Sequence, residues 1–133
     1  MPPLAIIDPN ELGFDHPLAD IEAIRKVNPQ RYEMEQLTAI VYLDPVHKVI
    51  AGYKDVRPDD FWVRGHMPDY PLMPGVLICE SAAQLCSYYI MKLGLMSGSF
   101  FAFGGMDRVK FRGVVRPGDR LIMLAQLVEV RPR

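Results

Sequence analysis

Two residues of types that commonly exchange protons in enzymes, His66 and Glu80, stand on either side of a predicted helix start. Prolines at positions 68, 71 and 74 lie between them. Each proline fixes its own φ and pushes the preceding residue out of the helical region, so we expect His66 on a stiff, extended loop. Pro74 suits a first helical turn, and Gly75 lets another group approach the backbone closely. This arrangement is typical of an acid/base pair.

The helix predicted to follow, from residue 76 to about residue 91, contains no proline or glycine and is apolar on nearly every side. Such a helix is normally buried. Its polar residues Glu80, Gln84 and Ser87 follow at spacings of four and three, which align them as one narrow stripe. Because a buried carboxylate is costly unless paired, Glu80 is either hydrogen-bonded within the core or kept for chemistry. Gln84 either satisfies a buried neighbour or, from the next turn of the helix, orients Glu80 or the reacting groups.

These residues closely resemble the active-site signature of the β-hydroxyacyl-acyl-carrier-protein dehydratases of the FabZ type, approximately G-H-F-P-x-x-P-x-M-P-G-V-L-x-x-E-x-x-A-Q. The matching residues are Gly65-His66-Met67-Pro68, Pro71-Leu72-Met73-Pro74-Gly75-Val76-Leu77, Glu80 and Ala83-Gln84. A looser similarity runs from residue 21 to residue 130 and includes Lys110-Phe111-Arg112 and Arg116-Pro117-Gly118-Asp119. The resemblance implies the hotdog fold, an α+β architecture in which an antiparallel sheet wraps around a long central helix.

The resemblance also implies an activity, the removal of water from (3R)-hydroxyacyl thioesters on acyl carrier protein to give trans-2-enoyl thioesters in fatty-acid biosynthesis. His66 would act as the base at the α-carbon, since imidazole exchanges protons near neutral pH. Glu80 would protonate the leaving hydroxyl or hold the resulting water, and the N–H groups of Gly75 and Val76 would donate to the thioester oxygen. In the family the histidine and the glutamate of one site come from opposite subunits, which requires a dimer.

Substrate and partners follow from the same resemblance. The acyl chain would be carried on the phosphopantetheine of acyl carrier protein, with no other cofactor, and the enzyme would form homodimers or trimers of dimers. The residues expected to contact substrate are Gly75, Val76, Gln84, Met73 and Phe101. Several further methionines and phenylalanines, among them those at 67, 91, 96, 100 and 103, either line an acyl tunnel or belong to the core.

Three basic residues, Arg108, Lys110 and Arg112, alternate with Val109 and Phe111. On a strand this alternation places the basic side chains on one face. That face is either a solvated outer surface or, as the family resemblance implies, a docking patch for an acidic carrier protein.

Length and composition favour one small enzyme domain spanning residues 1–133. Half of the 133 residues are hydrophobic, and a net charge of −1 gives no general case for binding nucleic acid. No run approaches the ~18 apolar residues that a membrane span needs, and the N-terminus lacks signal-peptide order, so we expect a cytoplasmic protein. Cys79 and Cys86 are about 10 Å apart on the predicted helix, beyond disulfide reach, and are expected in the core. His16 and His47 lack ligand spacing, so no metal is predicted.

The remaining elements are predicted from periodicity and turn residues. An amphipathic helix is predicted for residues 17–27. A hairpin is predicted from two strands, residues 37–43 and 48–56, which turn at Asp44-Pro45. Gly52 in the second strand is expected to mark a bulge. Gly94 is the expected helix stop, followed by strands at 100–103, 108–115 and 121–130. Family chains continue through further strands after that point, so we expect the natural protein to be longer or to end differently.

Three departures from the family pattern affect the expected pocket. Gln30-Arg31-Tyr32-Glu33-Met34 replaces a common His-Arg-Tyr-Pro-Phe, Met67 replaces the phenylalanine after the histidine, and phenylalanine replaces a frequent tyrosine near positions 100–101. Two other functions therefore stay open. One is another hotdog enzyme, a thioesterase or hydratase acting on coenzyme A thioesters. The other is a non-catalytic acyl-binding or dimerisation module.

Overall fold

The computed structural model describes residues 6–98 and 101–131. Two α-helices and three strands form the described fold, with short 3-10 turns at Pro9–Glu11 and Tyr32–Met34. In chain order the elements are α1 (Ile21–Arg25), β1 (Ala39–Asp44), β2 (Val49–Asp55), α2 (Gly75–Lys92) and β3 (Arg120–Gln126). The strands form one antiparallel sheet in the order β1-β2-β3. The α+β class with a long helix against an antiparallel sheet is as predicted.

The β1–β2 hairpin matches the predicted one and closes on Asp44. The carboxylate of Asp44 accepts from the backbone N–H groups of Val46 (2.9 Å) and His47 (3.0 Å) and contacts His47 Nδ1 at 2.6 Å. These bonds, the His47 backbone bond first, hold the pKa of the Asp44 carboxyl at about 2, below its usual range. A single carboxylate thus organises the turn that sets the register of the hairpin.

Helix α2 begins at Gly75 and ends at Lys92, close to the predicted bounds. Pro74 stands directly before its first residue, and Gly94, with φ of +61°, follows its end. The Gly94 N–H donates to the carbonyl of Met91, which satisfies one of the terminal carbonyl groups. No helix of the described residues is long and apolar enough to cross a membrane.

The main core lies between α2 and the sheet, where Leu85 is fully buried. Gly52 of β2 permits this close approach, because a Cβ built there would lie 2.9 Å from Leu85 Cδ1 and 2.7 Å from the carbonyl oxygen of Ala39. The predicted bulge lies on the opposite strand, between Ile40 and Tyr42, and Ile40 is the partner of Gly52. Gly52 therefore marks a close packing contact beside the bulge.

Helix α1 is shorter than the helix predicted for residues 17–27. It begins after Asp20, whose side chain accepts from the Ala23 N–H at 2.9 Å. The N–H groups of Leu18 and Ala19 instead donate to the carbonyl of Ile40, at 2.8 and 3.2 Å. These residues extend the sheet edge, so their backbone groups are not available to a helix.

The strands predicted at residues 100–103 and 108–115 are wrong for the described residues, and residue 100 lies outside them. Residues 101–119 contain no strand, and most of their side chains are exposed. A strand needs a neighbour for its N–H and C=O groups, and among the described residues β3 pairs with β2 alone. The strand predicted at 121–130 is shorter, at Arg120–Gln126, and Leu127 N donates to Lys48 O at 2.8 Å.

The contact of Leu85 with the sheet should dominate stability. Leu85→Ala removes a fully buried side chain and should lower the free energy of unfolding by about 2–5 kcal/mol. Leu18→Ala is the matched control, because Leu18 is 64% exposed and should change the value by less than about 0.5 kcal/mol. Urea denaturation followed by circular dichroism measures both. Equal losses for the two variants would contradict the packing described.

Candidate active site

His66 lies on the loop before α2, and two hydrogen bonds fix its position. Its backbone N–H donates to the carbonyl of Trp62 at 2.8 Å, and its ring Nδ1 lies 2.7 Å from the carbonyl oxygen of Leu72. A carbonyl oxygen can only accept, so Nδ1 carries the proton of this bond. In the neutral ring Nε2 is then unprotonated and available to take a proton.

The rest of this loop is fastened to residues 115 and 116. The Met73 N–H donates to the carbonyl of Val115 at 2.8 Å. The guanidinium carbon of Arg116 lies 4.3 Å from the centre of the Tyr70 ring, which is a cation–π contact. The loop is therefore held at both of its ends, by Trp62 on one side and by the segment before β3 on the other.

The first residue of α2, Gly75, packs against an aromatic ring. A Cβ built on Gly75 would lie 2.7 Å from Phe111 Cε2 and 2.8 Å from its Cζ, so only glycine fits without displacing the ring. The first N–H groups of a helix have no partner within it and carry the positive end of its dipole. Gly75 and the following Val76, which is 76% exposed, present such groups. This end of α2 is suited to bind a partly negative oxygen.

Glu80 is half-buried one turn further along α2, and the side chain of Gln84 donates to it. Gln84 Nε2 lies 2.8 Å from Glu80 Oε1 and 2.7 Å from the carbonyl oxygen of Met34. Gln84 Oε1 accepts from the N–H of Gln36 at 3.0 Å. The polar stripe predicted on α2 thus faces the segment before β1.

An open cavity of about 530 Å³ lies along α2 and brings Glu80 and Gln84 together with Phe101. Its remaining lining is mostly apolar and comes from α2, from residues 101–109 and from Gln30. A cavity of this size and character can hold an acyl chain. His66 is not among the described residues that line it, so one chain does not place His66 and Glu80 on the same cavity.

The other residues predicted at the site lie in different surroundings. Met73 is buried in a cluster with Val56 and Trp62, away from the cavity lining. The basic residues predicted to dock a partner are Arg108, Lys110 and Arg112. All three are exposed, and none of them forms an ion pair with another described residue. They do not share a strand face, because their segment is not a strand. Cys86, predicted in the core, is exposed.

Two contacts at the site were not predicted. The first joins Gln84 to backbone groups of Met34 and Gln36, and such partners leave no side-chain signature in a sequence. The second is the Phe111 ring on Gly75. The sequence signals for the second contact are the aromatic residue of the Lys110-Phe111-Arg112 motif and the glycine at the helix start, and neither identifies the other as its partner.

The chain is similar in sequence to known proteins. The model of the FabA-like domain family matches residues 28–133. The 3-hydroxyacyl-acyl-carrier-protein dehydratase FabZ of Clostridioides difficile is 38% identical over 114 residues, covering 86% of this chain and 80% of the relative. The enzyme of the same name from Natranaerobius thermophilus gives the same values, and that of Clostridium kluyveri is 33% identical over 111 residues, covering 84% and 76%.

The contact between Gly75 and Phe111 makes the effect of one substitution depend on another. Gly75→Ala should lower the free energy of unfolding by about 0.5–1 kcal/mol, because the added methyl group must displace the end of the Phe111 ring, which is 55% exposed and can move aside. In a Phe111→Ala background the same change should no longer destabilise, since alanine is the better helix former. Gly113→Ala, with nothing within 4 Å of its Cβ, is the control. Thermal unfolding measures the stability of the two single variants, the double variant and the control. If the losses from Gly75→Ala and Phe111→Ala simply add in the double variant, the contact is contradicted.

Proposed function

This chain belongs to the FabA-like domain family, and on that premise we propose that it is a 3-hydroxyacyl-acyl-carrier-protein dehydratase of fatty-acid biosynthesis. The relatives compared above carry that name. The observation that carries the proposal is the bond from His66 Nδ1 to the Leu72 carbonyl, which leaves Nε2 as a base. The Gly75 end of α2 supplies hydrogen-bond donors for the thioester oxygen, and Glu80 beside the apolar cavity supplies the acid.

The proposed reaction is an elimination of water. His66 Nε2 removes a proton from the α-carbon, and the electrons of that C–H bond form the new double bond to the β-carbon. The bond between the β-carbon and its hydroxyl breaks as Glu80 protonates the departing oxygen, which leaves as water. The N–H groups of Gly75 and Val76 donate to the thioester oxygen while negative charge develops on it. No net oxidation or reduction occurs, so an acid, a base and hydrogen-bond donors suffice without a cofactor.

The complete site requires two subunits in this proposal. His66 of one chain and Glu80 of another would converge on one acyl cavity, since a single chain does not place both there. A set of exposed apolar side chains in residues 101–115 supports a homodimer, because monomeric proteins rarely expose so many neighbouring apolar groups. These side chains are Phe103, Met106, Val109, Phe111 and Val114. Assembly into trimers of dimers would follow from the same family.

The proposed partner is acyl carrier protein with the substrate on its phosphopantetheine. Arg108, Lys110 and Arg112 are exposed and make no ion pair with described residues, so they are free to attract an acidic surface. Val109, which lies between Arg108 and Lys110 in the sequence, lines the cavity, and this supports a docking role for its basic neighbours. A carrier protein bound there would present its acyl chain to the cavity.

The decisive test is the product formed from a 3-hydroxyacyl-carrier protein. Mass spectrometry of the carrier after incubation with the enzyme should show loss of one water, and the new enoyl thioester should add back water in the reverse assay. Release of the free acid with an unloaded carrier would identify a thioesterase. An unchanged carrier, with binding intact, would identify an acyl-binding module. Either of these outcomes overturns the proposed reaction.

The acid and the base can be tested separately and in combination. His66→Ala and Glu80→Gln should each lower turnover by about a hundredfold or more, the usual range for general acid/base groups. Mixed dimers formed from the two inactive variants should recover activity, because each heterodimer then contains one intact site. Near-normal turnover of either variant would remove that residue from the mechanism. Inactive heterodimers, with their formation verified by native mass spectrometry, would place both groups within one chain.

A further inference from the structure

Gln84 is almost completely buried, at 3% exposure, and every polar atom of its side chain is used within the protein. The Met34 carbonyl can only accept and the Gln36 N–H can only donate, so the two bonds fix which end of the amide is nitrogen. The second hydrogen of Nε2 then points to Glu80 Oε1, at 2.8 Å. Gln84 therefore has no N–H donor left for a substrate.

The segment that holds Gln84 is itself fixed. Glu35, between Met34 and Gln36, accepts two hydrogen bonds from Arg25, at 2.6 and 2.9 Å, and this guanidinium lowers the pKa of the Glu35 carboxyl. Asn28 Nδ2 donates to the backbone carbonyl of Gln84 at 3.0 Å. The position of residues 34–36 is therefore transmitted through two bonds to the amide of Gln84.

We propose that Gln84 is a positioning residue that aligns the Glu80 carboxylate against the segment at residues 34–36, and that it donates no hydrogen bond to substrate. The inference rests on the proposed function, in which Glu80 is the acid. With Oε1 held by Gln84, Oε2 is the atom left to face the substrate hydroxyl. Because Met34 and Gln36 contribute backbone groups, the unusual side chains at residues 30–34 leave this role intact.

A double-mutant cycle in the full dimer tests the proposal. Gln84→Leu keeps the size of the side chain and removes its three hydrogen bonds, and it should lower kcat by about tenfold or more with little change in KM, since small misplacements of catalytic groups are costly. In a Glu80→Gln background the same change should have almost no further effect on kcat, because Gln84 acts only through Glu80.

Ser81→Ala is the matched control. Ser81 is also a buried polar residue of α2, and its Oγ donates to the Leu77 carbonyl at 2.9 Å. The control should lower the melting temperature as a lost buried hydrogen bond does, yet leave kcat unchanged. If Gln84→Leu fails to fold, Glu35→Gln replaces it. This variant weakens the hydrogen bonds from Arg25 that hold residues 34–36. It should lower kcat less than Gln84→Leu does, and that loss should also disappear in the Glu80→Gln background.

The outcomes separate the inference from the proposed function. Equal losses of kcat in the wild-type and Glu80→Gln backgrounds, or a rise in KM alone, would overturn the positioning role and return Gln84 to a structural or substrate-binding one. Unchanged kcat in Gln84→Leu would overturn it as well. Full activity of Glu80→Gln by itself would instead overturn the proposed function, whatever the behaviour of Gln84.

Discussion

The packing of Leu85 on the glycine of β2 determines where α2 lies, and the candidate site is built from that helix. Removing the Cβ at Gly52 lets the helix approach the backbone of the sheet closely. The stripe at Glu80 and Gln84 is thereby directed at the segment before β1, and Gly75 is brought beneath Phe111. A wider separation of helix and sheet would break these contacts together, so stability and function are linked through one close approach.

The polar groups buried on α2 are unusual for a helix that is otherwise apolar. Burying the Gln84 amide without partners would cost about 1–3 kcal/mol, so the bonds to Met34 and Gln36 offset a penalty before they add stability. The main effect of these bonds is on orientation. Because one end of the Gln84 amide donates and the other accepts, only one orientation of the side chain satisfies both bonds. The geometry of Glu80 is thus determined by backbone atoms distant in sequence.

Local signals in the sequence were sufficient for some elements and insufficient for others. Pro74 and Gly94 define both ends of α2, and Asp44 defines the hairpin turn, because each acts on the backbone of nearby residues. Periodicity alone overextended α1, since it cannot show that Leu18 and Ala19 donate to Ile40. It also predicted strands in residues 101–119 without identifying a partner strand. At the site, the position of Glu80 on α2 was predictable, whereas its anchor on backbone groups was not.

The pairing of Gly75 with Phe111 also constrains how the chain can diverge. A larger residue at position 75 must displace the ring of Phe111, and a smaller residue at 111 leaves the helix start uncovered. Either substitution made alone is therefore expected to lower the stability of the protein. Positions 75 and 111, separated by more than a quarter of the 133-residue sequence, are therefore expected to change together.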